Sequence, residues 1–534
     1  MCRLLRNTGQ PAILYALQAG RQSAVAKSAI ENRKSPILFA LPHCCLLPLA
    51  SCLLFYFSHL CRMNDHRQVY ELEHERPGKL MWKYFLPAFA SMMANALYNV
   101  VDRIYIGQGV DALALSGLTV VFPLMIIIMA FGMLVGMGSA VRVSLSLGEK
   151  DFNRANHILG NAFFLSLVFG LVLMGVGFLV RDPILHIFGA GPETIQYASD
   201  YFNIILLGTP LAMTGFSMNN IIRAEGNPRI AMYSIFISAG LNIVLDPIFI
   251  FGLGMGVKGA ALATVISHAV LAVWVLSHFR SRRSVTRLTL ANTRPDPYII
   301  RYIISIGFAP FAMNLASSIV WGVMNAKFIK YGGDISVAAL GIVNSATMLL
   351  VISIISINMA VQPIIGFNYG AGLFCRVRET VMKAIRYAVL IATGGWLICM
   401  FLPGVIVSIF NSDSPELREA GVLGLRIYTA VLPVVGFQII ASNYFQAIGK
   451  AKLAAFLSLL RQIIVLLPLI FILPQFWGTA GVWIANPISD FVSSVISFIF
   501  FRRELARLGC DMPVDDRDRS GLTGTDTPDS GIMK

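Results

Sequence analysis

Two carboxylates stand in stretches otherwise fit to cross a lipid bilayer. Asp102 lies in Leu97-Tyr98-Asn99-Val100-Val101-Asp102, and Asp246 in Asn242-Ile243-Val244-Leu245-Asp246-Pro247. An aspartate at the centre of a membrane helix costs about 2.5–3.5 kcal/mol even on lenient insertion scales, so each is a functional candidate by default. Asn242 and Asp246 are four residues apart and stack on one helical face. Pro247 has no N–H to donate and its ring crowds the carbonyl of Ile243, which frees backbone oxygen nearby. A partly desolvated carboxylate beside a second one can take up and release a proton. Ringed by hard oxygen ligands, the Asp102/Asp246 pair can hold sodium instead. Each acid also has a plainer reading: Asp102 as a helix-end acid paired with Arg103, and Asp246 as a structural acid bonded to Asn242.

Arg461 and Asp490 are further charges deep in apolar sequence, at comparable depth in the last two predicted spans. They read either as an intramembrane ion pair that locks the second half of the chain, or as cavity groups that meet anionic or polar parts of a solute. Other chemistry is poorly supplied. There is no Walker A sequence for ATP and no HExxH around His268 or His278. Of eight cysteines, Cys2, Cys44, Cys45, Cys52 and Cys61 lie before residue 62, and no CxxC pair points to zinc or a disulfide framework. Neither an enzyme nor a bound cofactor is expected. The 35 Phe and 22 Met can furnish a greasy, adaptable cavity, although any single one, Trp321 and Phe437 included, is read as packing or lipid-facing.

These residues are positioned by membrane helices. The chain of 534 residues is 56% hydrophobic and only 13% charged, about half of the ~25% charge usual in a soluble domain, and its mean hydropathy is +0.70. Apolar runs of the length needed to span a bilayer predict twelve spans, at 82–105, 112–137, 157–180, 201–221, 230–251, 258–278, 299–328, 335–361, 382–408, 422–445, 453–474 and 479–501. The net charge of +14 is not a nucleic-acid signal, because the basic residues collect in alternate short loops. Arg142, Lys150, Arg154, Arg223, Arg229, Arg280, Arg282, Arg283, Arg287, Arg294, Arg376, Arg378, Lys450 and Lys452 follow even-numbered spans, whereas Asp111, Asp182, Glu193, Asp413 and Glu416 follow odd-numbered ones. Both termini are therefore expected in the cytoplasm.

The halves repeat. Leu147-Gly148-Glu149-Lys150-Asp151-Phe152-Asn153-Arg154 matches Tyr369-Gly370-Ala371-Gly372-Leu373-Phe374-Cys375-Arg376 at an offset of 222 residues, and Gly256-x-x-Gly259 falls on Gly478-x-x-Gly481. One residue of slip brings Pro87 to Pro310, Pro210 to Pro433, and Arg223-Ala224-Glu225-Gly226 to Gln446-Ala447-Ile448-Gly449. Six spans per repeat is an even number, so both halves enter the membrane in the same direction, with a symmetry axis along its normal and a solute path between them. The fold expected is an all-α membrane protein of two six-helix lobes, at 80–280 and 298–503, joined by a cytoplasmic linker at 281–297. Residues 1–79 are an extension of uncertain role, apolar from Pro36 to Leu60 but broken by Pro42 and Pro48; a translation start at Met63 leaves the twelve-span core intact. The tail 504–534 is expected to be disordered.

Four segments in order, across about Leu80 to Arg503, resemble the multidrug and toxic compound extrusion (MATE) family. They are Leu97 to Gly107, Arg223 to Pro228, Asn242-x-x-x-Asp246-Pro247, and Gln362-Pro363-Ile364-Ile365-Gly366-Phe367-Asn368-Tyr369-Gly370-Ala371. The resemblance implies a bacterial inner-membrane exporter that exchanges small organic solutes, cationic drugs by default, for protons or sodium, and Arg461 leaves room for zwitterionic or anionic aromatic metabolites. It implies a monomer with only lipids and solutes as partners. It adds Tyr201, Thr264 and Asn219 to the coupling cluster, although helical rise puts Asn219 roughly 27 Å from Tyr201, and it makes Gln362 a cavity candidate beside Arg461 and Asp490. The family's sodium-coupled branch has acids in spans 7 and 10; Ser305 to Ala326 and Val422 to Phe445 contain none, which directs coupling to the first lobe. The alternative is a lipid-linked oligosaccharide flippase of the same superfamily. It would carry several deep cations in its cavity, where the sequence offers Arg461.

Overall fold

The computed structural model describes residues 67–110, 112–410 and 414–508. The expectations placed on residues 1–62, on Met63, on Asp111 and Asp413, and on the tail beyond 508 lie outside them.

Among the described residues, twelve long helical segments carry the fold. α1 (Pro77–Gly109) opens on a proline, whose missing N–H costs nothing in a first turn. α2 (Ala112–Gly148) is followed by α3 (Phe152–Leu179), whose cap Asp151 accepts the Arg154 N–H at 2.9 Å. α4 (Ile195–Ala224), α5 (Pro228–Pro247, continued by a π-helical turn at Ile248–Gly252) and α6 (Val257–Arg280) complete the first lobe. A continuous helix from Pro297 to Gly370 would run about 110 Å, several times a bilayer core. Gly333, at φ 64°, breaks it into α7 (297–332) and α8 (334–370). α9 (Phe374–Phe401) follows, then α10, a pair (Pro415–Tyr428 and Leu432–Ala447) bent by 49°. A last break at Gly478 separates α11 (451–477) from α12 (479–507).

The backbone repeats as the sequence does. Left-handed φ recurs at Lys150 (61°) and Gly372 (72°), at Gly226 (104°) and Gly449 (78°), and at Gly256 (55°) and Gly478 (54°). Each pair stands at the offset read from the sequence. The lobes meet where α2 and α8 cross, at the end that carries the basic loops. A Cβ on Gly148 would stand 2.0 Å from the Phe367 carbonyl oxygen, and one on Gly370 would stand 2.2 Å from that of Leu145. Leu145 and Phe367 are themselves repeat mates, so the contact is reciprocal, as a two-fold axis requires.

Three features differ from expectation. α2 runs to Gly148 rather than 137, because Ser139, Arg142, Ser144 and Ser146, which read as loop, are buried at the crossing. Ser139 and Ser144 return their hydroxyls to the carbonyls of Val135 (2.6 Å) and Val141 (3.0 Å), which removes the polar cost. The connecting segment is fastened to the first lobe: Asn156 accepts the Arg287 N–H at 2.7 Å, and Asn161 accepts that of Asp296 at 2.8 Å. The end of the N-terminal extension is also packed. In the short helix Arg67–His74, Leu72 is fully buried and its carbonyl accepts from Asn368 and Arg376.

Candidate functional site

α1, α4, α5 and α6 bring Asp102, Tyr201, Asn242, Asp246 and Thr264 into one buried cluster. The Asn242 amide nitrogen donates to Asp246 Oδ1 (3.3 Å) and to Thr264 Oγ1 (3.4 Å). The Tyr201 hydroxyl lies against Thr264 and within electrostatic reach of both carboxylates. Pro247 ends the regular helix directly after Asp246, and the π-helical turn that follows closes with Leu253 N–H to the Ile248 carbonyl at 2.9 Å. Such turns recur where a helix is locally reshaped for a site.

Three oxygens of this cluster, Asp102 Oδ1, Asn242 Oδ1 and Asp246 Oδ2, are buried with no hydrogen-bond partner. Arg103 does not supply one. It is exposed, and its guanidinium sits 4.8 Å from the centre of the Phe122 ring. The bond to Asn242 occupies only one Asp246 oxygen. Neither plainer reading of the two acids therefore accounts for all their oxygens. Two carboxylates, an amide and two hydroxyls form a hard, oxygen-only set that fits a proton or a sodium ion. Among the described residues no group of three or more His, Cys, Asp or Glu stands ready for a transition metal.

Asn219 does not belong to the cluster. It lies near the basic end of α4, donates to the Ala231 carbonyl (2.9 Å) and to Ser234 Oγ (2.6 Å), and accepts from Arg223 (2.7 Å). The helical rise that separates it from Tyr201 is the reason. Tyr98, one turn before Asp102 on α1, does belong, within reach of Asp102 and Asp246. Its i−4 spacing from Asp102 was the available signal.

Arg461 and Asp490 face each other, with Nε to Oδ1 at 2.6 Å. This is an ion pair by distance, although the N–H does not point along it and neither atom has a well-formed hydrogen bond. Arg461 sits in a π-helical segment, Leu460–Leu466, and its carbonyl accepts from Ser489 at 2.7 Å; Asn486 donates to the other Asp490 oxygen at 3.2 Å. The two charges lie within ion-pair distance of one another, and neither is among the residues that line the cavity holding Gln362. That cavity lies where α2, α4 and α8 meet, and Arg223 lines it too.

Outside the membrane, Glu225 fills the corner between α4 and α5. It is fully buried and accepts from His278 (2.5 Å), Asn227 (3.1 Å), Ser284 (2.7 Å) and Thr286 (N–H 3.2 Å, hydroxyl 3.0 Å). Burial opposes its ionisation, but the His278 charge and the hydrogen bonds outweigh burial and hold the carboxyl below its ordinary 4.5.

Two lobes of like topology, a reciprocal crossing between them and a buried acidic cluster inside one define a membrane transporter rather than an enzyme. The MatE family model matches the chain twice, over residues 87–248 and 310–472, once in each lobe, and the chain belongs to that family. It is 27% identical over 440 residues to the multidrug export protein MepA of Staphylococcus haemolyticus, covering 82% of this chain and 96% of that one. It is 28% identical over 425 residues to MepA of Staphylococcus aureus strain N315, covering 79% and 92%. Among solved structures it resembles a MATE crystallised in the bent conformation (TM-score 0.78, 26% identity, 83% of this chain and 98% of that one). It also resembles a MOP superfamily transporter from Pyrococcus furiosus described as having a binding pocket of reverse polarity (TM-score 0.77, 25% identity, 82% and 98%).

Proposed function

We propose that the protein is a secondary exporter that moves small organic solutes out of the bacterial cytoplasm in exchange for protons or sodium ions. The observation that carries this reading is the set of three unpartnered oxygens on Asp102, Asn242 and Asp246. Uncompensated negative charge in a low-dielectric site is costly, so the cluster is stable only when a positive charge arrives. Asp102 belongs to α1, which contains Pro87, whereas Asn242, Asp246 and Thr264 belong to α5 and α6. A cation that neutralises both carboxylates draws α1 towards its neighbours. The proline at Pro87 removes one rung of the α1 ladder and gives that helix a place to bend. Movement of α1 changes the wall of the cleft between the lobes, and the solute leaves as the cation enters.

The names of the relatives support export. Both are multidrug export proteins, and that kinship supports drug-like organic solutes as the cargo, with cationic drugs or aromatic metabolites as the classes proposed here. The comparisons give the flippase alternative no support. The basic loops set one face of the molecule, assigned here to the cytoplasm together with both termini.

The test is counterflow in proteoliposomes. Asp246→Asn is expected to insert and fold as the wild type does, yet to lose solute movement driven by an imposed gradient. Full gradient-driven movement in that variant would sink the coupling role. A pH jump in sodium-free vesicles then separates the ions: transport without sodium assigns the proton, and transport only with sodium assigns sodium.

A further inference from the structure

The cavity where the lobes cross contains a cation that the coupling scheme does not use. Arg223, near the end of α4, points one guanidinium nitrogen at Asn219 Oδ1 (2.7 Å) and another at the sulfur of Met359 (3.8 Å). A guanidinium has five N–H donors, and no carboxylate of the described residues pairs with this one. The acid closest in sequence, Glu225, is taken by His278, Ser284, Thr286 and Asn227. No acidic residue lines the cavity. Across the seam, α8 contributes Gln362, only 8% exposed, whose amide nitrogen is buried and unpartnered. The walls beside these two donors are Met137 and Met359, repeat mates 222 residues apart that stand one on each lobe. The repeat mate of Arg223 is Gln446, so the positive charge enters the seam from one side only.

We propose that Arg223 and Gln362 form an anion-accepting subsite on the floor of the cleft, one that takes the carboxylate or phosphate-ester oxygen of a transported solute. A guanidinium without a counterion in a partly desolvated seam is costly, and an orphaned amide N–H beside it adds to that cost. An oxyanion that accepts from both removes the two penalties at once. Guanidinium geometry matches carboxylate and phosphate in two-point fashion. The flanking methionines are flexible and polarisable, suited to the apolar body of an aromatic or aliphatic acid. Because α4 and α8 belong to different lobes, such a solute bridges the seam and its departure loosens the crossing. The inference rests on the exporter reading only in taking this seam as part of the solute path.

The full-length protein in phosphatidylcholine nanodiscs, free of anionic lipid, tests this with 1-pyrenebutyric acid and its methyl ester, which share the pyrene body and differ by the carboxylate charge and one methyl group. The wild type is expected to bind the acid at least about tenfold more tightly than the ester, a difference of ~1.4 kcal/mol. Arg223→Gln should bring that ratio close to one, Arg223→Lys should keep part of it, and Gln362→Leu should reduce it. All four proteins should elute as one monodisperse peak with the same helical circular dichroism, which shows that the variants are folded. A wild-type ratio near one overturns the subsite, as does a ratio that survives Arg223→Gln. A preference abolished by adding phosphatidylglycerol assigns the site to lipid phosphate and overturns the solute reading. No ion gradient enters the measurement, so a failure of the proposed coupling leaves these outcomes untouched.

Discussion

The two lobes place polar clusters at the same station of the repeat and settle their charge in opposite ways. At the 222-residue offset, Thr264 on α6 corresponds to Asn486 on α12, and His268 corresponds to Asp490. The first lobe surrounds its station with two carboxylates and leaves three oxygens without partners. The second lobe meets its single carboxylate with Arg461 at 2.6 Å, delivered by a π-helical segment of α11. A tethered cation cannot leave. The second cluster carries its counter-charge within the chain, whereas on the proposed coupling the first takes its cation from solution. The same fold can thus carry one responsive station and one fixed one, and a single arginine makes the difference.

The largest effect that separates them is on coupling. Asp246→Asn should abolish gradient-driven export while the protein still folds, because it removes half of the negative charge that binds the driving cation. Asp490→Asn should do the reverse. It strands Arg461 in a buried site and is expected to destabilise the protein by about 3–5 kcal/mol, read as a fall in thermal unfolding temperature in detergent. The ion dependence of whatever transport survives should not change. The double variant Arg461→Met with Asp490→Leu should recover most of that stability, since a buried pair replaced by apolar groups is often neutral or better. An Asp490→Asn protein with altered ion dependence would break the contrast between the lobes.

The corners next to the basic loops repeat the contrast at smaller amplitude. Glu225 in the first lobe is wholly buried and gathers the α4–α5 turn, the end of α6 and the connecting segment. Its counterpart corner in the second lobe uses Lys450 and Glu504 at 2.5 Å, with the lysine 38% exposed. Glu225→Gln is expected to cost about 3 kcal/mol, and Glu504→Gln about 1 kcal/mol or less. The pH dependence has a definite sign. The Glu225 carboxyl is held below its ordinary 4.5 in the folded state, so its contribution is complete above that value and is lost as pH falls through the lower, folded one. The gap in unfolding temperature between wild type and Glu225→Gln should be full at pH 7 and should close as pH falls from 4.5 through the lower, folded-state value. A gap that widens on acidification would contradict the assignment.

Most of the architecture could be read from one chain because its signals are local or periodic. Apolar runs marked the spans, and one offset tied Gly148 to Gly370 and Gly256 to Gly478. Asp102, Asn242 and Asp246 stood out because charge and amide are conspicuous in an apolar helix and i, i+4 spacing fixes a face. Resemblance added Tyr201 and Thr264. What escaped depended on contacts between distant segments. Arg223 looked like one more basic residue at a loop, and only its meeting with Met359, 136 positions away, shows that it lines a seam. The serines that end α2 looked like loop because burial against α8 is invisible in hydropathy. Asn219 was placed with the cluster by likeness alone, and the length of α4 overruled it.

The smallest expected effect probes the two stations at matched residues. Thr264→Val removes a hydroxyl that accepts from Asn242 at 3.4 Å and lies against Tyr201. Asn486→Leu removes an amide that donates to Asp490 at 3.2 Å. Each loses one hydrogen bond, and each should cost about 1 kcal/mol of stability. Their effects on transport should differ. In the first lobe the Asn242 amide is left less constrained beside oxygens that await a cation, so Thr264→Val should raise the driving-ion concentration needed for half-maximal counterflow, by roughly fivefold for ~1 kcal/mol. In the second lobe Arg461 still holds Asp490, and Asn486→Leu should leave that concentration unchanged. Equal shifts in both variants would mean that the stations are energetically alike, and the arginine would no longer explain why one of them responds.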